Sequence, residues 1–303
     1  MSGGRRYPFI GFAFIFAVTF SLTANGSDAV YPVRSVLAAY STYGTIPVPV
    51  LTEEEMAVLQ AGEPVVKTAV ESGEGGVSKF GVVGLRVIDS PRLLVWLTAM
   101  GVASEPDVRL TRAMLTEPTI GTYVRYQHVN LPWPLRDRHW VIHCEKDTDI
   151  AHASDGRFWE HRWQLVEDGE ALLPAAINDG RISGLTAKQM SKSVYLPANQ
   201  GAWSAASVGH DKTLVIASFD GSLGGMFPDA MVRRFAKIHL REGLNLIAEL
   251  SRRAHLEYAD SRVIYDGFGR PISREDVQRA ASATLTAGRR QRPMMAEQGT
   301  ESL

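Results

Sequence analysis

The chain has almost no cysteine, because Cys144 is the only one among its 303 residues. A single thiol cannot form an intramolecular disulfide, and it cannot supply the thiolate cluster of a metal site. An excess of charge is also lacking, since 32 basic residues oppose 33 acidic ones and the net charge is −1. Nucleic-acid binders usually carry a basic excess or stripe, so no nucleic-acid partner is expected.

Common catalytic motifs are missing as well. The sequence contains no His-Glu-x-x-His, no Gly-x-Ser-x-Gly and no glycine loop of the kind that cradles phosphate. Cys144 lies within a predicted strand without a neighbouring base, which does not favour a nucleophile. His139 and His143 have the spacing of a metal pair, but four residues of strand span ~13 Å, which is too far for both to bind one metal ion. We therefore predict no catalytic residue, no metal and no cofactor.

The N-terminus has the three-part layout of a secretory signal peptide. Arg5 and Arg6 precede the apolar residues 9–22, a stretch that is short for a membrane span of ~20 residues. Small residues then follow at Ala24, Gly26 and Ala29. We predict a signal peptide over residues 1–29 and a periplasmic or secreted protein. The alternative is an uncleaved signal that tethers the protein to the membrane.

Four regions are predicted after this pattern. Residues 30–61 read as an irregular lead-in with three prolines, followed by a short helix whose capping box is Thr52 with Glu55. Residues 62–254 form the main domain. Residues 255–303 are predicted to be a C-terminal tail that is largely disordered, because they show little apolar periodicity.

The main domain alternates short strands with few helices. A hairpin is expected at 64–71 and 78–88, followed by a helix that starts at Ser90-Pro91 and ends near Met100. Further strands are predicted at 107–116, 121–130, 138–147, 157–167, 190–207 and 212–220, whereas residues 170–188 are not assigned. Tandem strands joined by short turns imply an antiparallel sheet and an α+β fold.

Residues 228–254 are predicted to form a long amphipathic helix. One arc of its helical wheel carries Val232, Phe235, Ala236, His239, Gly243, Leu246, Ile247 and Leu250. Polar residues fall elsewhere on the wheel, at Arg233, Arg234, Lys237, Arg241, Asn245 and Arg252. This helix is long enough to cover the open face of the sheet, and Phe235 and His239 are expected to face the space between them.

Three motifs carry a resemblance to a known family. They are Leu-Pro-Trp-Pro-Leu-Arg-Asp-Arg-His-Trp-Val at 131–141, Gly-Ala-Trp at 201–203 and Gly-Gly-Met-Phe-Pro at 224–228. Together they resemble the START lipid-transfer domain, in the superfamily that includes birch-allergen-like proteins and polyketide cyclases. The resemblance implies a helix-grip fold, in which a curved antiparallel sheet wraps around a long C-terminal helix and encloses an apolar cavity.

Large aromatic side chains alternate along the predicted strands. Since successive side chains point to opposite faces, Trp140 and Ile142 share one face, as do Trp159, His161 and Trp163. Trp203 adds a further indole, and such a surface suits an amphipathic ligand. The alternative is a dry core that these tryptophans simply fill.

Polar residues near this surface are few. His161 and His239 lie on predicted apolar faces, where each needs a partner in the core or on a ligand. Arg125 and Gln127 share a face of their strand and either contact a ligand headgroup or point to solvent, with solvent favoured. Arg138 is expected to form a structural ion pair.

Three functions remain open at this stage. The first is a non-enzymatic protein that binds, and in one version transfers, a lipid or other bulky apolar molecule, with transient membrane contact. The second is a cyclase or aromatase on the same fold, which would require polar groups that converge in the cavity. The third is a protein-interaction module that has no ligand.

Overall fold

The computed structural model describes residues 31–72, 78–101, 110–116, 121–131, 133, 135–209, 211–225, 227–259 and 263–290. The predicted signal peptide, residues 1–29, lies outside these ranges, as does the end of the predicted tail, 291–303. Within the described ranges, no helix is both long enough and apolar enough to span a bilayer.

A curved, unclosed sheet forms the centre of the protein and confirms the predicted α+β helix-grip fold. Its strands are β1 Val65–Ser72, β2 Ser78–Ile88, β3 Leu110–Met114, β4 Thr122–Val129, β5 Arg138–Asp147, β6 Phe158–Leu165, β7 Val194–Tyr195, β8 Ala198–Ser207 and β9 Thr213–Ser222. They follow the order β1-β2-β9-β8-β6-β5-β4-β3, with antiparallel pairing throughout. The short β7 pairs in parallel with β5 beside this path.

The predicted strand at 190–207 is wrong as a single element, because it divides into β7 and β8. Pro197 lies between the two and has no amide hydrogen to donate to a ladder. The preceding amide, that of Leu196, donates instead to the carbonyl of His139. The chain can therefore turn at Pro197 and enter β8 in the antiparallel direction.

The long helix α7, Asp229–Leu250, lies on one face of the sheet and starts directly after Pro228. Its first three turns pack on β2 through Val232, Ala236 and Leu240. Gly84 in β2 allows this approach, because a Cβ there would lie 2.8 Å from side-chain carbons of both Leu240 and Leu244. A glycine is needed where helix and sheet come this close.

Two N-terminal helices cover part of the opposite face. Helix α1, Val33–Tyr43, occupies a segment predicted to be irregular, and α2, Glu53–Gln60, carries the predicted capping box. The prolines misled the prediction for α1 because Pro32 precedes the helix and the other two follow it, so none interrupts it. The buried side chains Val36, Leu37 and Tyr40 of α1 belong to one cluster with strand residues such as Ile216.

The C-terminal segment is ordered against the domain, so the prediction of a largely disordered tail over 255–303 is wrong for its described part. Helices α8, Ala254–Glu257, and α9, Arg274–Arg290, follow α7. The indole of Trp96 in α3, Arg92–Ala99, donates a hydrogen bond of 3.0 Å to the carbonyl of Tyr265. The buried side chains of this segment include Tyr258, Ile264, Ile272 and Val277.

Short helical pieces complete the described chain. Helix α4, Thr148–Ala153, connects β5 to β6, and the sequence analysis did not predict it. The unassigned stretch at 170–188 contains a 3-10 turn, Gly169–Leu172, and the helices α5, Leu173–Asn178, and α6, Ala187–Met190. The pieces between residues 169 and 190 cover the side of β5 that bears Val141.

Candidate functional site

A cavity of about 330 Å³ lies between the sheet and the C-terminal half of α7. Its volume falls at the lower end of the ~300–1,000 Å³ that is typical of ligand pockets. The described residues that line it are Thr98, Ala99, Gly101, Arg112, Arg125, Gln127, Trp140, Ile142, His161, Trp163, Asn199, Trp203, Phe219, Gly243, Leu246, Ile247 and Leu250.

The register of the sheet brings side chains from six strands, β3, β4, β5, β6, β8 and β9, onto the cavity face. Trp140 pairs with Gln127, and His161 pairs with Trp203, so each pair presents both side chains on the same side. Trp163 pairs with Gly201, where a Cβ would overlap the indole ring. Glycine at this position therefore makes the space in which the Trp163 ring lies.

Five of the predicted ligand-binding residues line the cavity together: Trp140, Ile142, His161, Trp163 and Trp203. Two of the indole groups have their N–H satisfied within the protein. Trp140 donates to the side-chain oxygen of Gln127 at 3.0 Å, and Trp163 donates to that of Asn199 at 2.9 Å. The rings are thus held by neighbours that are themselves in the lining, and they present carbon surface to the cavity.

Trp159 does not line the cavity, contrary to the prediction from strand alternation. Its side chain lies on the predicted face of β6, but near one end of the strand and beneath α3. There its ring packs edge-on against Trp96 at 5.6 Å, and the guanidinium of Arg92 lies 4.1 Å from its centre. Trp159 is therefore a core residue between the sheet, α3 and the C-terminal segment.

Phe235 and His239 are also absent from the lining. Their rings contact each other at 4.0 Å, and the His239 side chain is 55% exposed, 3.7 Å from the carboxylate of Glu242. The helical wheel placed them at the correct angle, because Gly243, four residues after His239, does reach the cavity. A wheel contains no information about position along the axis, and the cavity lies under the last turns of α7.

The sequence analysis missed part of the polar lining, namely Arg112 and Asn199. Arg125 and Gln127 were left open between a ligand head group and solvent, with solvent favoured, and both line the cavity. The signal was present in the sequence, because Arg125 and Gln127 alternate with the buried Tyr126 and His128. Which of these two faces lies inside a closed space depends on how the sheet curves, and alternation alone does not reveal this.

The histidine of the cavity is neutral. Burial, together with the positive charges of Arg125 and Lys146, lowers the pKa of His161 to about 3. Its Nε2 lies 3.0 Å from the hydroxyl of Tyr123, whose ring stacks on the imidazole at 5.7 Å. At neutral pH this side chain therefore contributes polarity without charge.

Among the residues that the structure describes, Arg138 has no carboxylate partner, so the predicted ion pair is not found there; its guanidinium donates to backbone carbonyls. It bonds Leu223 O at 2.6 Å and Gly224 O at 3.2 Å, and it also bonds Arg136 O. These contacts join the start of β5 to the segment that leads into α7. Arg138, which belongs to the motif at 131–141, therefore fixes the segment at the N-terminal end of α7.

Other polar groups were considered as sites of chemistry. Cys144 is buried, and burial raises the pKa of its thiol, which disfavours the thiolate form. His128 Nε2 lies 3.1 Å from Ser193 Oγ and 3.6 Å from Asp137 Oδ2. Both partners contact the same ring nitrogen, whereas a catalytic triad uses both nitrogens of the imidazole.

Solved structures of START and cyclase proteins are similar to this chain. Human STARD10 has 11% identity and a TM-score of 0.44, over 70% of this chain and 84% of STARD10. A STAR-related lipid transfer protein from Xanthomonas axonopodis has 19% identity and a TM-score of 0.39, over 59% and 93% of the two chains. The Zhui aromatase/cyclase from Streptomyces has 15% identity and a TM-score of 0.38, over 58% of this chain and 94% of the cyclase.

No protein-family model matches the sequence, and no curated protein does so. The structural similarities involve the families that the sequence motifs resemble. At these identities and TM-scores they do not assign a function to this chain, so a functional proposal has to rest on the cavity itself.

Proposed function

We propose that this protein binds a lipid or another bulky apolar molecule in the cavity under α7, and that it carries this ligand without changing it. The observation that supports the proposal is the lining itself. Three indole rings, those of Trp140, Trp163 and Trp203, face Leu246 and Leu250 of α7 across a space that is large enough for a ligand. Burial of a chain there gains roughly 0.8 kcal/mol per methylene.

The distribution of the lining favours an amphipathic ligand over a purely apolar one. Apolar groups come from α7, from Phe219 in β9 and from the indole rings of β5, β6 and β8. Polar groups come from the strands farther from the helix, such as Arg125 in β4 and His161 in β6. A molecule with an apolar body and a polar end would match both parts.

Mass spectrometry of the native protein, purified from its own host, tests this proposal. We expect a co-purified lipid, and we expect delipidated protein to exchange lipid between vesicles with its mass unchanged. Leu246→Ala, in the lining, should weaken binding, whereas Leu256→Ala, at a position that is 76% exposed, should leave it unchanged. Absence of a bound molecule and of binding to a host lipid extract would contradict the proposal.

A cyclase or aromatase is the second candidate, because more polar groups converge in the cavity than the sequence suggested. Arg125, Gln127, His161 and Asn199 all reach the lining. Incubation with a host extract separates the two functions, since an enzyme releases a new chemical species and a carrier does not. If such a product forms and disappears with His161→Ala while binding persists, the protein is an enzyme and not a carrier.

We also propose that the protein is exported, as the pattern of residues 1–29 predicts. N-terminal sequencing of the mature protein should begin between Asn25 and Val30. Recovery of intact Met1 in a soluble cytoplasmic fraction would contradict export but would leave the binding proposal in place.

A further inference from the structure

The charge of the cavity is one-sided. Its described lining includes Arg112 and Arg125 and no aspartate or glutamate. The Nε atom of Arg125 is buried and has no hydrogen-bond partner among the described residues. Buried polar groups in proteins are almost always paired, and an unpaired charge in a medium of low dielectric constant is costly. The described residues therefore do not supply a hydrogen-bond acceptor for this N–H group of Arg125.

A second cation lies beside Arg125, around the ring of Tyr123. The Cζ atom of Arg125 is 5.9 Å from the centre of this ring, and the Nζ atom of Lys146 is 6.0 Å from it. Lys146 is buried, and its ammonium group also lies 5.4 Å from the ring of Tyr265. Aromatic faces, and no described carboxylate, thus surround these two charges.

His161 adds a hydrogen-bonding atom to the same place. In the tautomer whose Nε2 accepts the hydroxyl hydrogen of Tyr123, the hydrogen of the neutral ring is on Nδ1. That Nδ1 atom is buried, and the part of the chain that the structure describes offers it no hydrogen-bond partner. Arg125 Nε and His161 Nδ1 are therefore two unsatisfied groups in the lining of one cavity, and in this tautomer both are donors.

We propose that the ligand is a single-chain amphiphile with an anionic head group, a carboxylate or a phosphate monoester, whose oxygens bind Arg125 and His161. Its chain then points towards Leu246 and Leu250 of α7. The inference rests on the proposed function and specifies its ligand class. An anion neutralises the positive charge of Arg125 and accepts from both donors. A neutral oxygen can accept these hydrogen bonds but brings no charge, and a cationic head group is repelled by the arginine. The modest volume of about 330 Å³ suits one chain better than two.

Titration calorimetry of the delipidated protein with four ligands of equal chain length tests the inference. The ligands are dodecanoate, dodecyl phosphate, dodecanol and dodecyltrimethylammonium. We expect both anions to bind about ten- to a hundredfold more tightly than dodecanol, the size of one charge-assisted hydrogen bond. The cation should bind most weakly, and the order of the two anions distinguishes a carboxylate from a phosphate ligand.

Two matched substitutions locate the effect. Arg125→Gln should lower the affinity for the preferred anion about ten- to a hundredfold and leave the affinity for dodecanol within about twofold. Arg233→Gln makes the same chemical change on the exposed side of α7 and should alter neither affinity. Circular dichroism checks that both variants are folded. If Arg125→Gln does not fold, the head-group order measured on the unmodified protein decides the question.

The outcomes separate this inference from the proposed function. If none of the four ligands binds, the proposed function itself is contradicted. If dodecanol or the cation binds as tightly as the anions, apolar binding stands and the anionic head group is wrong. If Arg125→Gln weakens dodecanol and the anions equally, the arginine supports the cavity wall and does not bind the head group.

Discussion

The hydroxyl of Tyr40 in α1 donates a hydrogen bond to the carboxylate of Glu160 in β6, and both side chains are completely buried. Thr45, just after the helix, donates to the other carboxylate oxygen. Glu160 lies on the face of β6 opposite His161, so this contact joins the N-terminal helix to the back of the strand that carries the cavity histidine.

Tyr40→Phe should lower the free energy of unfolding by about 1–3 kcal/mol, because it leaves a buried carboxylate oxygen without its donor. Tyr43→Phe is the matched control on the same helix, since Tyr43 is 39% exposed. Chemical denaturation measures both. Equal stability of the two variants would show that the Tyr40 hydrogen bond does not stabilise α1 on the sheet.

Glu160→Gln tests the charge of the same group. Burial raises the pKa of Glu160 above its ordinary value of 4.5. An acid whose pKa is higher in the folded state binds its proton more tightly there than in the unfolded chain. Its contribution to the free energy of unfolding is complete below the unfolded pKa and is lost as pH rises through the folded pKa. The variant should therefore gain stability relative to wild type as pH increases from 4.5, as thermal melts at several pH values would reveal. A difference that is independent of pH would contradict this assignment.

Two substitutions of Gly243 in α7 test helix stability and cavity volume separately. A Cβ at this position would lie 3.9 Å from Trp203, an ordinary contact. Gly243→Ala should thus increase the free energy of unfolding by about 1 kcal/mol through helix propensity. Gly243→Leu should project into the cavity and reduce lipid loading, as measured by mass spectrometry. If loading is normal in a folded Gly243→Leu variant, the ligand does not occupy the space beside α7.

The ordered C-terminal segment should contribute to stability. Ile272 is buried against the cluster that contains Trp96, so Ile272→Ala should cost about 2–5 kcal/mol. Val263→Ala, at a position that is 55% exposed, should change stability by less than about 0.5 kcal/mol. Thermal melts of the two variants provide the comparison. An unchanged melting temperature for Ile272→Ala would mean that the segment does not hold to the domain in solution.

Trp133 is the candidate for membrane contact. It lies in the connection between β4 and β5 and is 93% exposed, and indole rings favour the interface between membrane and water. Trp133→Ala should weaken co-sedimentation with vesicles of anionic lipids about tenfold, the effect of returning one large side chain to water. Val50→Ala, at another highly exposed position, is the control. Identical sedimentation of both variants would exclude a role for Trp133 in membrane contact.

Much of the cavity face was predictable, because strand alternation depends only on local geometry. A period of two places Trp140 with Ile142, and His161 with Trp163, whatever the rest of the chain does. The long helix was predictable for the same reason, since its apolar period of 3.6 appears in the sequence. These local periods led to the correct sheet, the correct helix and five of the residues that line the cavity.

Position along each element was decided only by the tertiary structure. The side chain of Trp159 lies on the face of β6 that alternation predicts, but at a position under α3. His239 lies on the same side of α7 as Gly243, but one turn earlier, before the helix reaches the cavity. Periodicity determines a direction around an axis, whereas packing between distant segments determines which turn or which part of a strand is enclosed. The same reason explains why the sequence left Arg125 open between ligand and solvent, because only the curvature of the sheet brings it into a closed space.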